Sequence, residues 1–207
     1  MSDLLRVLIG CEYSGAVREE FRKLGHDAWS CDLLQSDDGS GFHEVCDVFK
    51  MIESREWDII ILHPPCTALA VSGNAHYGRG MAKEHLRGES IKWTMDLWGL
   101  ATRCCNHVAL ENPVGVLSNH IPVKPSYIQP YEFGHPESKK TGLWLHGLPP
   151  LVPTNDVKEE YDSLPRNERM RVHYMPPSPD RWKLRSVTYS GIAAAMADQW
   201  SEYVLNN

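Results

Sequence analysis

Residues 58–66 read DIIILHPPC, and no other stretch limits the fold as much. An unbroken apolar run with no polar alternation suits a strand covered on both faces, which calls for a parallel sheet between helices. Pro64 and Pro65 then stop it, because proline cannot donate to a ladder and fixes φ. Cys66 is thereby placed at the rim of the sheet instead of in its core. The N-terminal segment repeats the logic: LLRVLIG is an apolar run, CEYSG a turn, AVREEFRKLG has helical spacing closed by Gly25, and HDAWSCDLL returns to an apolar run. Strand, helix and strand of this length make a βαβ unit and an α/β fold.

Further along, the pattern predicts a helix over about 84–104, a strand in NHVALENP, a later strand in TGLWLHGL and a closing helix in YSGIAAAMADQWSEYVL. From 148 to 185 prolines and charges replace periodicity, so that stretch reads as a loop or small insert. The expected organisation is a catalytic and cofactor-binding core over 1–147, the insert over 148–185, and a helix over 186–207 returning to the core.

A net charge of −6 argues against a protein that coats nucleic acid without selectivity. Arg166, Arg169, Arg171, Arg181, Lys183 and Arg185, opposed by Glu168 and Asp180, nevertheless form a basic stretch that reads either as a phosphate-facing surface or as a solvated loop. No apolar run approaches the roughly 20 residues of a membrane span, and no signal-peptide pattern opens the chain, so a cytoplasmic protein without a membrane partner is expected. The six cysteines lack a disulfide framework and read as reduced thiols. No C-x₂-C pair occurs, so no metal is expected.

In open α/β sheets ligands bind beyond the carboxyl ends of the strands. Those ends carry Cys11-Glu12-Tyr13-Ser14-Gly15, Asp32, His63 to Cys66, and Glu111-Asn112-Pro113. A small-residue turn entering a helix suits a carboxylate or phosphate, and an acid after the second strand suits a ribose diol. A thiol beside a carboxyl suits conjugate addition to a pyrimidine, the acid hydrogen-bonding the ring nitrogen on which charge builds.

With PPC at 64–66, ENP at 111–113, CDVF at 46–49, FGHPESKKT at 133–141 and YSGIAAAMA at 189–197, the chain resembles the DNA (cytosine-5) methyltransferases, in the manner of a compact phage or prophage member. The resemblance implies a doubly wound, mostly parallel sheet of the class I S-adenosylmethionine-dependent (Rossmann-like) type. It implies S-adenosylmethionine held by Cys11, Glu12, Tyr13, Ser14, Gly15, Asp32, Leu33, Asp47, Val48 and Pro64. Cys66 and Glu111 would be catalytic, with Pro65, Ser72, Asn112, Pro113, Lys139 and Lys140 binding the substrate, duplex or single-stranded DNA. The short insert stands where the family has a large target-recognition region, which implies a partner protein or dimer supplying recognition, low specificity, or a smaller substrate.

Two other readings stand beside it. The order His63-Pro64-Pro65 matches the polar-Pro-Pro part of an amino-methyltransferase loop, with Cys66 where an aromatic residue would be. A non-catalytic module that binds S-adenosylmethionine or nucleic acid is the alternative outside enzymology. Trp29 beside an adenine and Trp182 stacked on a base are further candidates.

Overall fold

The computed structural model describes residues 4–207. In chain order the elements are β1 (Arg6–Gly10), α1 (Ala16–Lys23), β2 (Asp27–Asp32), β3 (His43–Val45), α2 (Val48–Glu53), β4 (Ile59–Leu62), α3 (Asn74–Tyr77), α4 (Glu84–Cys104), β5 (Val108–Pro113), β6 (Ser126–Ile128), β7 (Thr141–His146), α5 (Lys158–Ser163), α6 (Arg166–Arg169), α7 (Arg171–Tyr174), α8 (Arg181–Ser186) and α9 (Ser190–Leu205). The strands form a 7-stranded sheet in the order β3-β2-β1-β4-β5-β7-β6. β1 to β5 pair in parallel, and β7 runs antiparallel to both β5 and β6. This is the doubly wound α/β sheet that the apolar runs predict.

The unbroken hydrophobicity of β1 and β4 has the expected cause. Side chains alternate along a strand, and here both faces are covered. Val7, Ile9, Ile59 and Ile61 pack with Val17 and Phe21 of α1 and Met196 and Trp200 of α9. Leu8, Ile60 and Leu62 face the other way, against Val48 and Ile52 of α2 and Leu97 and Trp98 of α4. Burying each such side chain is worth about 1.5–3 kcal/mol. Gly10 ends β1 because a Cβ there would lie 2.7 Å from Val48 and 2.8 Å from Leu62.

The stretch expected to be irregular differs from that reading in two respects. Leu148 and Leu151 are buried in the core, and Trp200 Nε1 donates to the Pro149 carbonyl, so 148–151 packs as part of the sheet layer. Beyond it the chain forms the short helices α5 to α8, which are held by contacts to other elements. Ser138 N donates to Arg169 O, Arg171 pairs with Glu137, and Tyr189 OH also donates to Glu137. Among the described residues no helix is long and apolar enough to cross a membrane.

Candidate active site

The two prolines after β4 do what their chemistry demands. His63 N makes the last sheet contact, donating to Gly10 O at 2.9 Å. The chain then turns through buried Pro64 and exposed Pro65 to Cys66, whose carbonyl accepts from Leu69 N and Ala70 N. Asn112 of β5 is buried and donates through Nδ2 to Pro64 O at 2.9 Å, fastening the proline turn to the neighbouring strand. Glu111 comes to the same place, with Oε2 3.4 Å from His63 Nδ1. One cleft is lined by Cys11, Glu12, Tyr13 and Ser14, by His63 to Cys66, by Glu111 to Pro113, by Lys139, and by Arg185 to Thr188.

Its electrostatics set the resting protonation. Burial pushes the Cys66 thiol up, the Glu111 anion adds to this, and the cations of Lys139 and Arg185 work against both. Burial also acts to raise Glu111, but the hydrogen bond with His63, the Lys139 charge and Thr141 outweigh it and hold the carboxyl below its ordinary value. A protonated thiol therefore faces an ionised carboxylate.

At the other end of the cleft the β1–α1 turn is unusual. Cys11 has φ +61°, a left-handed conformation costly for a residue with a Cβ. Glu12 is buried with its carboxylate on the α1 N-terminus, accepting from Val17 N at 2.8 Å and Arg18 N at 3.4 Å. The N–H groups that the sequence reading offers to a ligand anion are thus taken by the chain's own acid. Tyr13 OH bonds Ser186 Oγ at 2.7 Å and Lys183 O at 3.2 Å, while its ring lies 5.7 Å from Trp182. These contacts lay α8 against the turn.

The strand ends next door suit the nucleoside part of S-adenosylmethionine. Asp32 ends β2 and Asp47 caps α2, each with one carboxylate oxygen on a nearby backbone N–H. Leu33, 76% exposed, follows Asp32. The donor set fits a ligand with a diol, an amine and an apolar ring; a methionine carboxylate would need partners other than the α1 N-terminus.

Of the residues singled out from sequence, Cys11, Glu12, Tyr13, Ser14, Pro64, Pro65, Cys66, Glu111, Asn112, Pro113 and Lys139 line the cleft. Gly15, Asp32, Leu33, Asp47 and Val48 lie on the adjoining β1 to α2 rim, and the Val48 side chain is buried in the core. Ser72 is exposed in the 3-10 turn Val71–Gly73, and Lys140 is exposed with its ammonium 4.5 Å from the Tyr127 ring; neither lines the cleft. The sequence reading gave His63 no role at the thiol and assigned Arg185 none in the cleft. A signal for the first was its place beside Pro64; the second comes from distant chain and has none. Trp29 stacks edge-on with Phe42 under Arg55. In the basic stretch Arg169, Arg171 and Lys183 are paired with Asp162, Glu137 and Asp37.

No family model matches the chain, and no curated protein matches it. Solved structures do. The methyltransferase EhMeth of Entamoeba histolytica aligns with TM-score 0.51 and 15% identity over 75% of this chain and 58% of that one. A prophage Cp protein of E. coli named as a DNA modification methyltransferase gives 0.45 and 14% over 78% and 56%. The Dnmt2 methyltransferase of S. pombe gives 0.43 and 11% over 86% and 61%. The chain thus spans less than two thirds of the length of each. At this identity the first likeness establishes the fold, that of class I S-adenosylmethionine-dependent, Rossmann-like methyltransferases.

Proposed function

We propose that this chain transfers a methyl group from S-adenosylmethionine to C5 of cytosine in DNA through a covalent bond from Cys66 Sγ to C6. The observation that carries the reading is the meeting of Cys66 and Glu111, from the ends of adjacent parallel strands, in one cleft. The shared fold supports methyl transfer, and the thiol and carboxylate support the cytosine chemistry.

In this reading Asp32 takes the ribose hydroxyls and Asp47 the adenine amine, with Leu33 against the ring. The bound cofactor supplies an electrophilic methyl group. Cys66, held by the proline turn, adds to C6 and makes C5 nucleophilic. Glu111 hydrogen-bonds N3 and the exocyclic amine, stabilising charge where it develops. Asn112 fixes the turn that aims the thiol. Lys139 and Arg185 bring positive charge to the nucleotide and to the forming thiolate. In duplex DNA the base must first leave the stack.

The experiment is incubation with radiolabelled S-adenosylmethionine and DNA containing 5-fluorocytosine, whose fluorine blocks the final proton loss. The expected result is a labelled, denaturant-resistant protein–DNA adduct that disappears in Cys66→Ala. Label passing to ordinary DNA without any adduct would replace this reading with amine methylation at the His63-Pro64-Pro65 loop. Cofactor binding with neither outcome would leave a binding module.

A further inference from the structure

Adding the Cys66 thiol to a base requires that its proton go somewhere, and among the described residues the groups lining the cleft reduce to one candidate. Glu12 is committed to Val17 N, Arg18 N and Ser14 Oγ. Tyr13 is committed to Ser186 and Lys183. Cys11 is a buried thiol, and burial pushes it well above its ordinary range. Lys139 and Arg185 are cations with no lone pair to offer. Glu111 is the group needed at N3.

His63 remains. Its side chain is 11% exposed, its Nδ1 lies 3.4 Å from Glu111 Oε2, and its Nε2 is buried with no hydrogen-bond partner among the described residues. Leaving a buried polar atom unpartnered lowers stability. Such an atom in a native site calls for a reason, and a catalytic role is one. Cys66, His63 and Glu111 line the same cleft, and a nucleophile, an imidazole and a carboxylate are the groups that activate weak nucleophiles in general.

We infer that His63 is the acid–base residue of this site, carrying the Cys66 proton on Nε2 and exchanging its Nδ1 proton with Glu111. The inference rests on the covalent-thiol reading above. As Sγ bonds to C6, the S–H proton passes to Nε2, the Nδ1 proton passes to Glu111 Oε2, and Glu111 gives a proton to N3. N3 receives the electron pair displaced from the C5–C6 double bond through C4. One proton leaves sulfur and one arrives at N3, so no net charge accumulates. Release runs the relay backwards: N3 returns its proton to Glu111, the S–C6 bonding pair returns to sulfur, and Nε2 reprotonates Sγ. The C5 proton departs to water, balancing the positive charge that came with the methyl group.

Two readouts on the full chain test this. The first needs no substrate: iodoacetamide labelling of Cys66 as a function of pH, with peptide mass spectrometry separating it from exposed Cys104. The wild type is expected to show a flat rate component at pH values where the raised Cys66 thiol is still protonated. His63→Gln and His63→Asn lose it, and the rate then climbs with pH until the thiolate forms. His63→Asn keeps a side-chain N–H in reach of Glu111, so its loss cannot be put down to a displaced acid. Added imidazole restores the component in His63→Ala. The second readout is the 5-fluorocytosine adduct rate at saturating DNA, expected to fall about 100-fold in His63→Gln with DNA affinity unchanged. Adduct formation and labelling that are both indifferent to the His63 variants overturn the inference while the function stands. A flat labelling component that needs His63, without any adduct in the wild type, overturns the substrate reading and leaves His63 as the base of Cys66.

Discussion

Glu12 carries its charge into the first turn of α1, where Val17 N and Arg18 N are its partners. Glu12→Ala leaves both donors without an acceptor in a buried place, and is expected to lower stability by about 1–3 kcal/mol in urea unfolding. Glu12→Gln keeps an acceptor oxygen but loses the charge facing the helix dipole, and costs about 1 kcal/mol. The charge of Glu12 was evident from sequence; its direction was not, because that depends on the turn at Cys11 entering the left-handed region. Cys66 and Glu111 were legible for the opposite reason: Cys66 stands just past the apolar run of β4 and its two prolines, and Glu111 directly follows the apolar residues 108–110 of β5. The meeting of His63 with Glu111 needed the pairing of β4 with β5, whose register places Leu62 beside Leu110. Periodicity predicts strands but not which strands are neighbours.

At the scale of elements, the long apolar runs predicted β1, β4 and α4 because burial on a fixed period determines them. The helices α5 to α8 escaped notice because one-turn helices have no stability of their own and exist through the contacts they make. For α8 those contacts are to the β1–α1 turn. Tyr13→Phe removes the hydroxyl that reaches Ser186 and Lys183, and hydrogen exchange over 181–187 should quicken by roughly five- to tenfold, equivalent to about 1 kcal/mol of a hydrogen bond. The ion pairs of the insert also alter its expected behaviour towards DNA. With Arg169, Arg171 and Lys183 already paired, Arg166, Arg181 and Arg185 are the cations of the stretch left without an ion pair among the described residues to meet phosphate. A plot of log affinity against log salt for DNA binding is therefore expected to have a slope of about −2 to −3, well short of the value that every cation of the stretch would give.

Across the whole molecule, acid should act in two stages. Burial lowers His26, His135 and His173, so folding favours their neutral forms. Their contribution is intact above the ordinary histidine value of 6.5 and declines as the pH falls through and below it. Asp38 and Asp58 are lowered although burial alone would raise them, because hydrogen bonds outweigh it: from Ser36 and Ser40, with the Arg18 charge, for Asp38, and from Arg6 for Asp58. Their contribution is present above the ordinary value of 3.8 and disappears as the pH falls through their depressed values. The thermal midpoint should decline gently below about pH 6.5 and steeply below about pH 4. Asp38→Ala, which takes one of two carboxylate partners from the fully buried Arg18 and leaves it Glu19 and Ser30, should cost about 1–3 kcal/mol and remove part of the second stage.

The six cysteines give the molecule a built-in record of its own opening. Cys104 is exposed, Cys31 and Cys105 are buried, and burial has pushed the latter two up to about 12 and about 11. A chromogenic disulfide reagent at neutral pH should count one thiol within mixing time. Counts that come from Cys31 or Cys105 would date a moment at which the end of β2 or of α4 came away from the sheet.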